Sequence, residues 1–279
     1  MASPVSEEQH EKVMELICAV QQGKKKAVKS ILRGKGHSFN VPDILNCPPR
    51  SSNGTTALIE ACHKANKYAG YSPGKHAELR RLLLEHGLDP NIMAPSSAAE
   101  ALDIVRLLLD HGADPDMKAC SFDAGFLIPL HVAVRESNEA LTRVLLEGKA
   151  SVNQTNDHGR CALHIYCSGY RCRIKSDLEI LNTLISYNAD VNLQDKRGQT
   201  PLYICITSAR NQHDMMRTLL DNGALTDIPD NSGEYPLHTA ARCGNEISVQ
   251  ILLESKASVN QTNRDGQSAL HKCSIMSLS

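Results

Sequence analysis

The residues best equipped for chemistry are gathered between positions 158 and 172: His158, Cys161, His164, Cys167 and Cys172. A structural zinc site draws thiolates and imidazoles from short, paired spacings. Here the spacings are C-x5-C and C-x4-C. Cys161 and His164 also sit at fixed positions of a tetrapeptide that recurs along the chain, so the cluster reads as buried small thiols and a packing histidine. Gly70-Tyr71-Ser72-Pro73-Gly74-Lys75-His76 superficially resembles a phosphate loop. It is one residue too short, lacks the closing Ser or Thr, and falls between helical patterns instead of after a strand. His131, His164, His238 and His271 occupy one repeated position, whereas a catalytic histidine would be unique. No nucleophile elbow, HExxH or Walker pattern occurs. The expectation is no catalytic residue, no metal and no cofactor.

The elements that carry these residues repeat. KASVNQTN occurs twice, at Lys149–Asn156 and Lys256–Asn263. A Leu-Leu-rich segment ending in a Gly-Ala-Asp-like turn recurs six times, with its glycine position at Gly87, Gly112, Lys149, Asn188, Gly223 and Lys256. Most copies follow a polar turn and a Thr-Pro-Leu-His-like tetrapeptide: TALI after Gly54, IPLH at 128–131, CALH after Gly159, TPLY after Gly198, YPLH after Gly233 and SALH after Gly266. The interval from Gly233 to Lys256 accommodates a short helix, a tight turn and a second helix.

Composition fits a packed array. The 279 residues are 41% hydrophobic and 22% charged, so a sizeable core is within reach and a disordered tail is excluded. Thirty Lys and Arg against 31 Asp and Glu give a net charge of -1. That balance argues against a broad nucleic-acid surface, as does the absence of Trp, with only three Phe and seven Tyr. No apolar run is long enough to span a membrane. Acids stand where an export signal places positive charge, so the ten cysteines read as free thiols in a reducing, cytoplasmic or nuclear compartment.

Asp230–Asn260, DNSGEYPLHTAARCGNEISVQILLESKASVN, closely resembles the ankyrin repeat, and the likeness extends over most of residues 10–275. The resemblance implies an all-α solenoid of stacked helix–turn–helix units joined by β-hairpin-like loops. The expected organisation is a flexible N-terminus (1–9), a degenerate cap repeat (10–36), a loop (37–50), and repeats at 51–91, 92–120, 121–155, 156–194, 195–229, 230–262 and 263–279. The unit 92–120 has a second helix at Leu102–Asp110 but no recognisable first helix. The unit 263–279 stops after its first helix, which suggests a fragment, a splice form or a cap supplied from elsewhere. The basic run Lys24-Lys25-Lys26 with Lys29, Arg33 and Lys35 reads as a solvated face of the cap.

The resemblance further implies a function. Members of this family bind protein partners on hairpin tips and first helices, and the recurring histidine is structural, bonding between neighbouring repeats. Mapped onto this chain, the contact positions are His158 and Arg160 (beside Asp157), Lys196, Arg197 and Gln199, Asn231 and Glu234 (beside Ser232), Arg242, Arg264, Asp265 and Gln267. Basic members predominate, which favours an acidic segment of an intracellular partner. Asn192 matches the hairpin asparagine that an asparaginyl hydroxylase modifies in this family; Asn153 and Asn260 match less well. The chain is expected to be a non-catalytic scaffold or adaptor. The alternative is a substrate-recruiting or regulatory region of a larger enzyme or ubiquitin-ligase assembly, truncated at its C-terminus.

Overall fold

Proline just inside three of the first helices and a left-handed residue just past five of the second helices mark out helix pairs. In the computed structural model, which describes residues 7–22, 24–32, 56–69, 98–121, 125–169, 178–208 and 212–276, Pro129, Pro201 and Pro236 open their helices, where no backbone donor is needed. Two of the second helices are capped by asparagines: Asn138 accepts from the Leu141 amide and Asn245 from the Ser248 amide, each at 3.1 Å. The repeated glycine position is the stop signal. Gly112, Lys149, Asn188, Gly223 and Lys256 all have φ between 61° and 91°. The amide after each returns to a carbonyl five residues back, as Ala150 does to Leu145 at 3.0 Å and Ala257 to Leu252 at 2.9 Å. Gly87 lies outside the described residues.

The chain forms two units, Met1–Ser151 and Val152–Ser279. The first contains α1 (Glu7–Gln21), α2 (Lys25–Leu32), α3 (Ala57–Ala69), α4 (Ala98–Asp110), a hairpin of β1 (Ala119–Ser121) with β2 (Gly125–Leu127), α5 (Pro129–Arg135) and α6 (Glu139–Glu147). Helices α1, α3 and α5 pack in one row and α2, α4 and α6 in another. Leu16, Leu58, Ile104, Leu108, Leu130 and Leu145 are buried between them. Lys25 of α2 pairs with Asp103 of α4, so one member of the basic run joins the two helices.

Residues 7–9 are the first residues of α1, inside the stretch 1–9 expected to precede the array. The unit at 92–120 has a partner for its helix. Residues 98–100 form the first turn of α4 itself, and α4 packs on α3, the first helix expected to pair within 51–91. The Leu-rich motif at 82–91, the loop at 37–50 and the Gly70–His76 segment lie outside the described residues.

The second unit contains α7 (Ala162–Cys167), α8 (Glu179–Ser186), α9 (Pro201–Thr207), α10 (His213–Asp221), α11 (Pro236–Arg242), α12 (Glu246–Glu254) and α13 (Ala269–Met276). First helices α7, α9, α11 and α13 pack successively, and α8, α10 and α12 each cover the first helix before them. Leu163, Leu184, Leu202, Met216, Leu219 and Leu252 fill the interior. Helix α12 is apolar on more than its inner stripe: Ile251 and Leu252 are buried while Ile247 and Leu253 are exposed. No described helix is long and apolar enough to cross a membrane.

Candidate interaction surface

Four loops in the second unit share one local rule, an Asn or Asp with glycine three residues on: Asn156/Gly159, Asp195/Gly198, Asp230/Gly233 and Asn263/Gly266. The Asx oxygen accepts two backbone amides. Asn156 takes those of His158 and Arg160 at 2.9 and 3.0 Å, and Asp195 those of Arg197 and Gln199 at 2.8 and 3.0 Å. Asp230 and Asn263 repeat the pattern. Each loop is thereby held in one conformation before any neighbour is considered. From sequence, Asp230 with Gly233 suits a tight turn; that an Asx oxygen organises all four tips is visible only in the structure. The shared Asx-x-x-Gly spacing is the mark it leaves in the sequence.

Adjacent tips are then tied to one another. Lys196 N donates to the His158 carbonyl and Asn231 N to the Arg197 carbonyl, each at 2.9 Å. The Asn231 side chain adds a bond to the Lys196 carbonyl at 2.8 Å. A Cβ on Gly198 would stand 2.6 Å from the Asn231 nitrogen, so glycine is required by the close approach as well as by φ +75°.

Behind the tips runs a second set of links. His164 Nδ1 accepts the Cys161 amide at 3.3 Å, so Nε2 carries the hydrogen and donates to the Gln199 carbonyl at 2.9 Å. Burial pushes the His164 pKa down, which keeps the imidazole neutral. His238 repeats the arrangement with the Tyr235 amide and the Gln267 carbonyl. Tyr203 holds the intervening place and its hydroxyl donates to Asp230 at 3.1 Å. Burial works against the charge of Asp230, but bonds from the Ser232 hydroxyl and the Glu234 and Ser232 amides hold it below the usual carboxylate range.

These links sort the expected contact residues. His158, Lys196, Arg197, Asn231, Arg242, Arg264 and Asp265 are exposed. Gln199 and Gln267 are half-buried, with their backbone groups already engaged. Arg160 is half-buried and paired with Asp195 at 3.1 Å. Glu234 must be corrected: it is 9% exposed. Its Oε1 accepts from Lys272 at 2.6 Å and Asn263 at 2.9 Å, so the residue braces α13 and the last loop instead of facing a partner. Burial opposes its charge, yet those two donors keep its pKa below the usual value. Among the described residues, Lys196, Arg197, Arg242 and Arg264 make no ion pair.

Asn192 is half-buried and bridges to the next repeat, donating to the Gly223 carbonyl at 3.0 Å and accepting the Leu225 amide at 2.8 Å. In the cysteine cluster, Cys161 Sγ lies 3.1 Å from His164 Nδ1. Cys167 hydrogen-bonds Cys205; that bond and burial push its thiol pKa well up. Cys172 lies outside the described residues, and no described group of His, Cys, Asp and Glu is arranged to hold a metal.

A protein-family model described as "Ankyrin repeats (3 copies)" matches residues 16–119, 92–174 and 170–263. The B-cell lymphoma 3 protein homolog of Mus musculus is 32% identical over 148 residues, covering 52% of this chain and 32% of that protein. Neurogenic locus notch homolog protein 1 of Mus musculus is 32% identical over 128 residues, covering 46% of this chain and 5% of that protein. The chain thus spans about a third or less of these relatives. The crystal structure of the ankyrin repeat domain of Bcl-3 superposes with a TM-score of 0.65 at 22% identity, over 94% of this chain and 97% of that one, a likeness of fold.

Proposed function

Because the chain belongs to the ankyrin repeat family, we propose that it is a non-catalytic protein–protein interaction module whose tips and first helices hold an acidic segment of an intracellular partner. The carrying observation is the set of four exposed cations without counter-ions, Lys196, Arg197, Arg242 and Arg264. Lys196, Arg197 and Arg264 stand on tips and Arg242 ends α11; the Lys196–His158 and Asn231–Arg197 bonds lock the tips at 158, 196–197 and 231 in register. A fixed scaffold with unpaired charge binds without first losing loop entropy or breaking internal ion pairs. His158, Arg160, Gln199, Asn231, Asp265 and Gln267 flank the cations. The expected setting is the cytoplasm or nucleus.

The test is affinity capture with the full chain beside the variant Lys196→Glu, Arg197→Glu, Arg264→Glu. Helix content by circular dichroism establishes that the variant is folded. Partners captured by the wild type and lost by the variant support the proposal. An unchanged partner set, or turnover by the purified protein that one point substitution abolishes, overturns it. A captured enzyme or ligase subunit that needs the same three cations would identify the surface as a recruiting module of a larger assembly.

A further inference from the structure

One loop residue spans the step between successive repeats in the second unit. Asn153 donates to the Asn188 carbonyl at 3.3 Å and accepts the Asp190 amide at 2.8 Å. Asn192 does the same at Gly223 and Leu225, at 3.0 and 2.8 Å. By the same spacing the next residue of this series is Asp227, which lines one groove with Lys256 and Ser258, whose carbonyl and amide hold the corresponding places in sequence. A carboxylate has no N–H to offer the carbonyl. Among the described residues no hydrogen bond joins Asp227 to either group, and the carboxylates of Asp221 and Asp227 take no ion pair.

A groove of about 480 Å3 opens at this step, with Leu220, Asp221, Leu225, Asp227, Glu254 and Lys256 in its lining. Leu225 is 50% exposed and lines the groove beside the carboxylates of Asp221 and Asp227. Glu254 is already held by Arg217 at 3.1 Å and Gln250 at 2.9 Å. The acids do not converge as metal ligands would. They are spread along a polar lining that also holds Leu220, Ala224 and Leu225, which suits an extended chain better than a point ion.

We propose that this groove docks a short partner segment in which an arginine or lysine adjoins an apolar side chain. With Glu254 paired to Arg217, the lining leaves two carboxylates, Asp221 and Asp227, against the single ammonium of Lys256, so the complementary occupant is cationic. A guanidinium supplies the missing donor of the broken bridge, since it can donate both to Asp227 and to the carbonyl that an asparagine would have served. The neighbouring apolar side chain covers Leu220 and Leu225. The groove and the basic tips use different residues and opposite charge, so either proposal can fail while the other stands.

The experiment is an NMR titration of the isotope-labelled full chain with the acetylated, amidated peptide Leu-Arg-Leu-Arg, and separately with Leu-Glu-Leu-Glu. The arginine peptide is expected to give saturable shifts confined to amides 220–227 and 254–261, weakened by added salt, while the glutamate peptide gives none. Asp227→Asn restores the residue type of the two preceding steps, so it is expected to fold and to bind roughly tenfold or more weakly through loss of a charged hydrogen bond. Equal shifts with both peptides, shifts centred elsewhere, or full affinity in Asp227→Asn would overturn the proposal. Concentration-dependent shifts at the same amides without peptide would assign the groove to a second copy of the chain, and likewise overturn it.

Discussion

Lys149 occupies the same left-handed station at a helix end that Gly112 occupies one repeat earlier, with φ 65° against 91°. Both are followed by an amide that returns to the helix, Ala150 to Leu145 and Ala113 to Leu108, each at 3.0 Å. Glycine reaches that conformation without steric cost, whereas the lysine Cβ crowds its own carbonyl. Lys149→Gly should therefore raise stability by about 0.5–1 kcal/mol, the unfolded-state entropy of glycine offsetting part of the gain. Urea denaturation of the two proteins measures this directly; a loss of stability would show that the Lys149 side chain carries contacts that outweigh its backbone strain.

The opposite substitution is forbidden at Gly198. Its φ is +75°, and an added methyl would stand 2.6 Å from the Asn231 nitrogen. Gly198→Ala must break the link between adjacent tips as well as adopt a strained backbone. A loss of roughly 2–4 kcal/mol is expected, above the usual single-strain range. Gly223 is the control, also at positive φ but with open space around its Cβ position. Gly223→Ala should cost only the backbone term, about 1–2 kcal/mol. Equal losses at the two sites would remove the close approach from the argument.

These stations were legible from sequence because left-handed backbone selects few residue types, so Gly112, Asn188 and Gly223 announce helix ends. The pairing of α3 with α4 was not. Leu82–Asn91 and Leu107–Asp116 are nearly the same string, and periodicity cannot tell which copy packs on a given helix. The burial of Glu234 was hidden for a related reason. Its partners Asn263 and Lys272 lie 29 and 38 residues along the chain, while the tip position alone reads as solvent-facing. The tips were legible as a pattern; which of their side chains are already engaged within the fold depends on the neighbouring repeat.

His164 gives stability a pH dependence whose sign is fixed by burial. Its folded pKa lies below the ordinary imidazole value of 6.5. As pH falls through 6.5 the unfolded chain takes up the proton first, so stability is full above that value and declines below it. Protonation in the folded state would place a hydrogen on Nδ1 against the Cys161 amide. His63, also lowered by burial, acts in the same window. Chemical denaturation at pH 7.5 and 5.5 should show a loss that His164→Gln reduces but does not abolish. No change between these pH values, which lie above the range where Asp and Glu titrate, would contradict the neutral, buried state of the ring.

Thiol reactivity should divide the cysteines by burial. Cys18, Cys243 and Cys273 are exposed, while Cys62, Cys161, Cys167 and Cys205 are buried. Burial pushes the Cys161 thiol up to about 11 and raises Cys62 further. The thiolate is the reacting species, so burial slows reaction by excluding the reagent and by suppressing ionisation. Alkylation of the native protein followed by peptide mapping should label Cys18, Cys243 and Cys273 first and the four buried thiols only on unfolding. Early labelling of Cys167 or Cys205 would mean that their helices open far more readily than their packing implies.

The last prediction concerns α4, whose first helix was not recognisable in its own stretch of sequence. Its inner face presents Ala101, Ile104, Val105 and Leu108, none more than 2% exposed. That stripe packs on α3, and α4 also contacts α2 and α6. A helix with neighbours on three sides opens only when they open with it, because such arrays gain most of their stability at the interfaces. Amides in the latter part of α4, 102–110, should therefore exchange as slowly as those of α6, where the sequence pattern alone suggested a weak layer. Ile104→Ala should cost roughly 2–5 kcal/mol as a buried large-to-small change. It should also speed exchange in 57–69, since α3 loses the face it packs against. Fast exchange across 102–110 in the native protein, or an Ile104→Ala loss below about 0.5 kcal/mol, the level of a surface change, would show that α4 is not the working partner of α3.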